Sequence, residues 1–339
     1  MKYKLLSVYN GEVQNIGDYV QALAASQYMP SVDGFVNREE LSAYNGDECK
    51  MIMNGWFMHH PENWPPSERI NPLFVAFHLN ESVKSQMLTK EGIDYLKKHE
   101  PIGCRDQYTA SILAEAGVVS YFSGCLTLTL GNKYKTDEKS QDVIVVDPMI
   151  PGSKSIIDLL KDAVTFIAHL PSVLKISNKL YPSKKGLLKY VYTSRFYRCY
   201  TKWIEKEDLV NAIYIQQETE YYISGFNSDH ERLQEAERLV QLYSKAQYVL
   251  TSRIHCALPC LGLGTPVYFA IKDKLDFISS CRMGGLIELF NVFRCSKKEV
   301  IPSFEIEGKL GKKNIVENKR TWVDLAKDLT EKCTAFING

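Results

Sequence analysis

Residues 131–148 read GNKYKTDEKSQDVIVVDP, and the change of character inside that run decides how the chain is organised. Up to Gln141 the run is polar and without apolar periodicity, the composition of a connection between folded units. Residues 142–146 (DVIVV) are then a short β-branched run closed by Asp147-Pro148, the pattern of a strand buried on both faces of a parallel sheet. A new sheet starts where the polar run ends.

On both sides of this point strand and helix alternate. Upstream, residues 3–9 are apolar and β-prone, and the turn-rich Asn10-Gly11 and residues 15–18 follow. Val20, Leu23, Ala24 and Tyr28 then recur at helical spacing behind Asp18 in a capping position. Residues 50–53, 73–78, 101–104 and 118–122 read as further strands, with helices near 89–98 and 106–116. Downstream come a strand at 212–215, a helix near 230–244, a strand at 248–251, a helix from 254 and a strand at 267–270. The pattern predicts an α/β chain of two parallel-sheet domains, 1–139 and 140–318. An amphipathic helix within 319–339 is expected to pack back on the first. A length of 339 residues also exceeds what one core usually organises.

A net charge of +1 gives the molecule no general attraction to nucleic acid, so none is expected as a partner. The start MKYKLLSVYN lacks the apolar core of a signal peptide, and the nine cysteines form no CxxC pair. Both point to reduced thiols and a cytoplasmic location. No apolar run approaches the ~20 residues that cross a bilayer. Residues 163–204, however, contain no Asp or Glu, while Lys184, Lys185, Lys189, Arg195 and Arg198 are interleaved with Tyr190, Tyr192, Phe196 and Tyr197. Two readings stand: peripheral contact with the inner face of the membrane, or a helical insertion at about 155–206 with a solvated basic face.

The chemistry-bearing residues sit at strand ends. Thr251-Ser252-Arg253-Ile254-His255 follows one strand and opens a helix, where free N–H groups and the dipole favour an anion. Arg253 brings a planar fork for phosphate or carboxylate, and His255 a proton carrier near neutral pH. Arg105 ends the strand at 101–104 and faces the same cleft, while Asp106 caps the next helix. Lys274, after the strand at 267–270, offers a third cation, with Lys272 as its competitor. GxxxxGK[ST], GxGxxG, HExxH and Asp-x-Asp are all absent, and neither the adjacent His59-His60 nor Cys256 with Cys260 makes a metal site, so no metal is expected.

At these residues the chain resembles the polysaccharide pyruvyltransferase family along nearly its whole length. The resemblance rests on Asn15-x-Gly17-Asp18, Gly103-Cys104-Arg105-Asp106, residues 121–127 (YFSGCLT), Thr251-Ser252-Arg253-Ile254-His255 and Gly264-Thr265-Pro266-Val267. It implies two Rossmann-like domains in a GT-B-like arrangement with the active site in the cleft between them. It also implies transfer of the pyruvyl group of phosphoenolpyruvate to two hydroxyls of a sugar, giving a cyclic ketal and phosphate, with no cofactor beyond that co-substrate. Arg105, Arg253 and His255 would be catalytic, with Arg105, Arg253 and Lys274 holding the donor. Asn15, Gly17 and Asp18 would face the acceptor, although a tight turn explains that loop equally well. Galactose or N-acetylmannosamine, free or on polyprenyl diphosphate, is the implied acceptor of a bacterial surface polysaccharide. Two rivals remain open: a GT-B glycosyltransferase using a nucleotide sugar, and a non-catalytic carbohydrate-binding member of the assembly machinery.

Overall fold

The computed structural model describes residues 1–8, 15–182, 186–219, 222 and 225–339, so the turn expected at Asn10-Gly11 and the pair Lys184 and Lys185 lie outside the described residues. The chain is a mixed α/β protein with two groups of parallel strands.

In the first half, Leu5–Ser7 pairs with Phe35–Asn37, Lys2–Tyr3 with Cys49–Ile52, and Cys49–Ile52 with Ile70–Leu73. Gly55–Phe57, Phe77–Leu79, Ile102–Cys104 and Ser120–Phe122 then pair in that order, every pair parallel. Successive strands run on into one another, as where Met53 N–H donates to Leu73 and Gly55 N–H to Ala76, so the pieces trace one twisted sheet. In the second half the order is Ile213–Ile215, Val143–Val146, Tyr248–Thr251, Val267–Lys272, Asn291–Cys295 and Val300–Pro302. Only the last pairing is antiparallel. Val143–Val146 is wholly buried because strands flank it and helices cover both faces, as its β-branched run predicts.

Helix ends follow local chemistry. Asp106 accepts from Thr109 N–H at 2.8 Å and caps Gln107–Glu115, and Ser228 caps Asp229–Lys245. The first helix departs from expectation. It begins at Gly17 with Ile16 in the cap position, so Asp18 lies inside the first turn and caps nothing. There its carboxylate accepts from Gln21 and lies 3.7 Å from Arg38.

The largest apolar core crosses the midpoint of the chain. Val20, Leu23 and Leu128 share it with Leu239, Ala257, Leu261, Leu329 and Cys333. Within 131–141, Gly131–Tyr134 is a short helix with a buried Tyr134, and Lys139 reaches the Ser244 carbonyl at 2.7 Å. Gly131 and Gly262 meet backbone to backbone: a methyl group on the first would strike the Gly262 carbonyl, and one on the second the Leu128 carbonyl. The last helix, Val323–Asn338, lies against first-half residues, with Lys50 donating to the Phe336 carbonyl at 2.8 Å and Lys332 over the Tyr121 ring.

Residues 156–200 add three helices, Ile156–Ala168, Leu170–Leu180 and Leu188–Tyr200. Phe196 and Tyr200 of the third pack on Tyr214 and Phe293 of the second sheet. Two of the basic residues are internal. Arg195 is buried, with Nε and Nη2 donating to Asp162 and Nη1 to the Pro151 and Ser153 carbonyls, and Arg198 reaches the other oxygen of Asp162 at 2.8 Å. These two arginines are spent on the fold and are not offered to a membrane.

Candidate active site

A cleft of about 790 Å³ lies where the two halves meet, lined from the first by Asn15, Asp18, Arg38, Trp56 and Arg105 and from the second by Gln217, Glu218, Arg253, His255 and Arg282. Arg105, Asp147 and Arg253 each follow a strand, so the cleft occupies the carboxyl ends of both sheets.

Arg105 is the most unusual wall residue. It is 2% exposed, yet among the described residues Nε and Nη1 have no hydrogen-bond partner and no carboxylate forms an ion pair with it. The neighbouring acid is already engaged: Asp106 caps its helix and lies 2.5 Å from His78 Nδ1. Burial depresses the Arg105 pKa, yet guanidinium remains charged in proteins, so an anion-seeking charge sits under the cleft floor. His78 is also buried, and desolvation with the Arg105 charge pushes its pKa down to about 4. Asp106 resists its own burial and stays below the usual carboxylate range through the His78 hydrogen bond. The pair is a neutral imidazole beside a carboxylate, and the Asp106 charge, which stays on the pair, partly offsets that of Arg105 without contacting its guanidinium.

His255 lies in the first turn of the helix Ile254–Leu263, and Gly264 closes that helix with φ +71°. Pro259, inside the helix, has no N–H for the carbonyl four residues back, that of His255. Gln217 Nε2 reaches that carbonyl instead, at 3.5 Å. Gln217 is wholly buried and also accepts from Ile16 N–H, donates its own N–H to Asp147 and its Nε2 to Tyr243 Oη. It thereby ties the 15–18 loop, paired antiparallel at Asn15 with Glu218, to the two arms of the second-half site. Burial, then the charges of Arg105 and Arg282, hold the His255 pKa well below 6.5, and its Nε2 has no hydrogen-bond partner among the described residues.

Arg253 is differently placed. Its Nε donates to Asp147 at 2.9 Å and its Nη1 to Glu218, and its side chain is 33% exposed. Asp147 has φ +41°, a left-handed backbone that a non-glycine residue rarely adopts. The bonds from Ser252 Oγ to its carbonyl (2.6 Å) and from Gln217 N–H to its carboxylate hold it there. Glu218 is the more exposed partner and the one an incoming anion displaces most easily.

Of the residues singled out from the sequence, Asn15, Asp18, Arg105, Arg253 and His255 line this cleft. Gly17 is not on its surface but packs behind His255. Lys274 is exposed and not among the lining residues, and the same holds for Lys272. Arg282, near the end of the helix Phe277–Met283, lines the cleft instead. Phe277 lies edge-on to Tyr108, and Gln107 N–H donates to Gly284, which brings this helix onto the first half beside Arg105. Arg38, Gln217, His78 and Arg282 escaped the sequence reading. Arg38 is a buried cation beside Glu39 and over the Trp56 ring. Gln217, two residues past the strand Ile213–Ile215, stands where Arg253 stands after Tyr248–Thr251, whereas His78 lies inside Phe77–Leu79.

The profile of the family described as Polysaccharide pyruvyl transferase matches residues 15–271, and the chain belongs to that family. The match runs from the cleft loop at Asn15 to the end of the fourth strand of the second sheet and stops short of Arg282. No curated protein and no solved structure matches the chain. No helix among the described residues is long and apolar enough to cross a membrane.

Proposed function

We propose that the protein transfers the pyruvyl group of phosphoenolpyruvate to two hydroxyls of one sugar in a bacterial surface polysaccharide or its lipid-linked precursor. The two halves around the cleft then correspond to a GT-B-like arrangement. The observation that carries this reading is the buried, unpaired Arg105 guanidinium, sharing a cleft with Arg253, Arg282 and an unpartnered His255 Nε2.

In this mechanism the arginines bind the donor's carboxylate and phosphate, Arg253 exchanging Glu218 for the substrate. Burial first, and then the guanidiniums of Arg105 and Arg282, hold the His255 pKa down; the donor's negative charge offsets the second cause and so favours the protonated imidazole in the complex. His255 delivers that proton to the methylene carbon while a sugar hydroxyl adds to the central carbon. The first hydroxyl's proton replaces the one His255 gave up, and the second hydroxyl then displaces phosphate, its proton leaving with the phosphate as the ketal closes, while Arg105 stabilises the charge on the leaving group. One donor and one diol give one ketal and one phosphate. Asn15 and Asp18 line the acceptor side, where galactose or N-acetylmannosamine, free or on polyprenyl diphosphate, is the substrate we favour. No cofactor is needed.

Incubation with phosphoenolpyruvate and candidate acceptors tests the reading. Phosphate release matched by an acceptor mass gain of one pyruvate less one water is expected. Nucleotide release from a nucleotide sugar, with phosphoenolpyruvate inert, would replace it with a glycosyltransferase.

A further inference from the structure

The helix Ile156–Ala168 is built inside out. Its buried residues are Asp158, Asp162 and Thr165, and its apolar residues point away from the protein: Ile156 is 73% exposed and Ile167 76%, with Ile157, Leu159, Leu160 and Val164 between them. At 100° per residue these side chains cover about 160° of the helix. The acids are what hold it down. Asp162 receives both Arg195 and Arg198, and Asp158 accepts from Ser153 Oγ at 2.5 Å. Leu188–Tyr200 lies beneath it, between it and the sheet, with Tyr190 against Phe166. The apolar stripe therefore forms the outermost layer of the second half. Leu187 and Leu188, 80% and 69% exposed, extend the apolar surface at the start of the neighbouring helix. Single exposed leucines are ordinary, but a continuous apolar stripe over a charged inner face is not.

The charge around it selects the occupant. Both acids of the helix are buried against the protein, and residues 163–204 add none. Lys154, before the helix, and Lys161, at the edge of the stripe, are exposed. Two copies apposed through this face would bring like charges together with no acid to offset them. An anionic bilayer offers apolar depth to the stripe and opposite charge to its rim.

We infer that the exposed face of Ile156–Ala168 inserts into the headgroup region of an anionic bilayer and seats the protein on it. Vesicle binding needs no turnover, so it stands or falls separately from the pyruvyl-transfer reading.

Co-sedimentation of the full chain with vesicles of phosphatidylcholine, alone or mixed with phosphatidylglycerol, tests this. Binding is expected to the mixed vesicles, and the variant carrying Ile157→Ser, Leu160→Ser, Val164→Ser and Ile167→Ser should partition at least about tenfold less. Lys154→Glu with Lys161→Glu should weaken binding to the anionic vesicles and leave the small binding to neutral ones as it was. An Ile167→Trp protein, which needs no stripe removal, should shift its emission to the blue on the anionic vesicles. No sedimentation of the native protein, equal binding by the serine variant, an unmoved emission of the Ile167→Trp protein, or a native dimer that the serine variant dissolves without vesicle binding would each overturn the inference.

Discussion

Gly17 stands against His255 so closely that a methyl group added to it would lie 3.0 Å from the His255 Cβ, 3.1 Å from its ring Nδ1 and 2.9 Å from Asn15 Oδ1. The glycine is needed for what it lacks. Its own N–H donates to Asn15 Oδ1 at 2.9 Å, which fixes the loop in contact with the ring. Gly17→Ala should therefore turn the imidazole and lower kcat by about tenfold or more, since small misplacements of a reacting group are costly. Thermal stability should change little. Steady-state phosphate release with a melting curve checks both, and unchanged kcat would remove Gly17 from the positioning of His255.

Arg105 sets stability against function. An unpaired buried charge is costly, and a side chain of similar length without it should fit the same space. Arg105→Met is expected to raise stability by about 1 kcal/mol or more and to lower turnover at least ~10²-fold. Urea denaturation and activity, measured side by side, decide it. An active but destabilised variant would mean that Arg105 serves the fold.

Arg282 and Lys274 compete for one role. Arg282 lines the cleft and depresses His255, whereas Lys274 is exposed away from it. Arg282→Ala should raise the KM for phosphoenolpyruvate by about tenfold, as loss of a charged contact does. Lys274→Ala should raise it by less than about threefold, a rim-charge effect. The reverse order would return the donor site to Lys274.

Acid should act through two buried histidines. His78 is pushed from 6.5 to about 4, and His255 lies well below 6.5. Between the unfolded and folded values the unfolded chain takes up protons that the folded one refuses, so stability is complete above pH ~6.5 and declines as pH falls toward 4. Each histidine contributes a slope of up to ~1.4 kcal/mol per pH unit. His78→Asn, which keeps a donor toward Asp106, should flatten the decline. Asp106, held low, acts only below this window. Denaturant midpoints at pH 7.5 and 5 measure it; parallel curves for variant and native protein would exclude His78.

The elements readable from sequence are those whose local pattern agrees with their burial. Val143–Val146, Tyr248–Thr251 and Val267–Lys272 up to Ile271 are apolar runs rich in β-branched and aromatic residues and are buried on both faces. Phe35–Asn37, only three residues long, exists because Leu5–Ser7 pairs with it, and no local signal announces that. The site divides the same way. Arg105, Arg253 and His255 follow strands, so chain order alone brings them to the cleft. Gln217 also follows a strand, Ile213–Ile215, but its bond from Ile16 is tertiary, and Arg282 arrives by tertiary juxtaposition alone, through Phe277 against Tyr108. Asp18 misled because its type suits a cap while the helix begins one residue earlier.

The crossing of Gly131 and Gly262 bears on how the molecule can move. His255 and Gly262 ride the same helix, so the far end of the histidine's support is keyed into main chain of the opposite half, with no side chain between to act as a bearing. Hinge-like gaping along that seam would have to separate main chain that is packed glycine against glycine. On the proposed function, the seam is expected to hold still during catalysis and the rim, around Glu218 and the short helix bearing Arg282, to be where substrate enters.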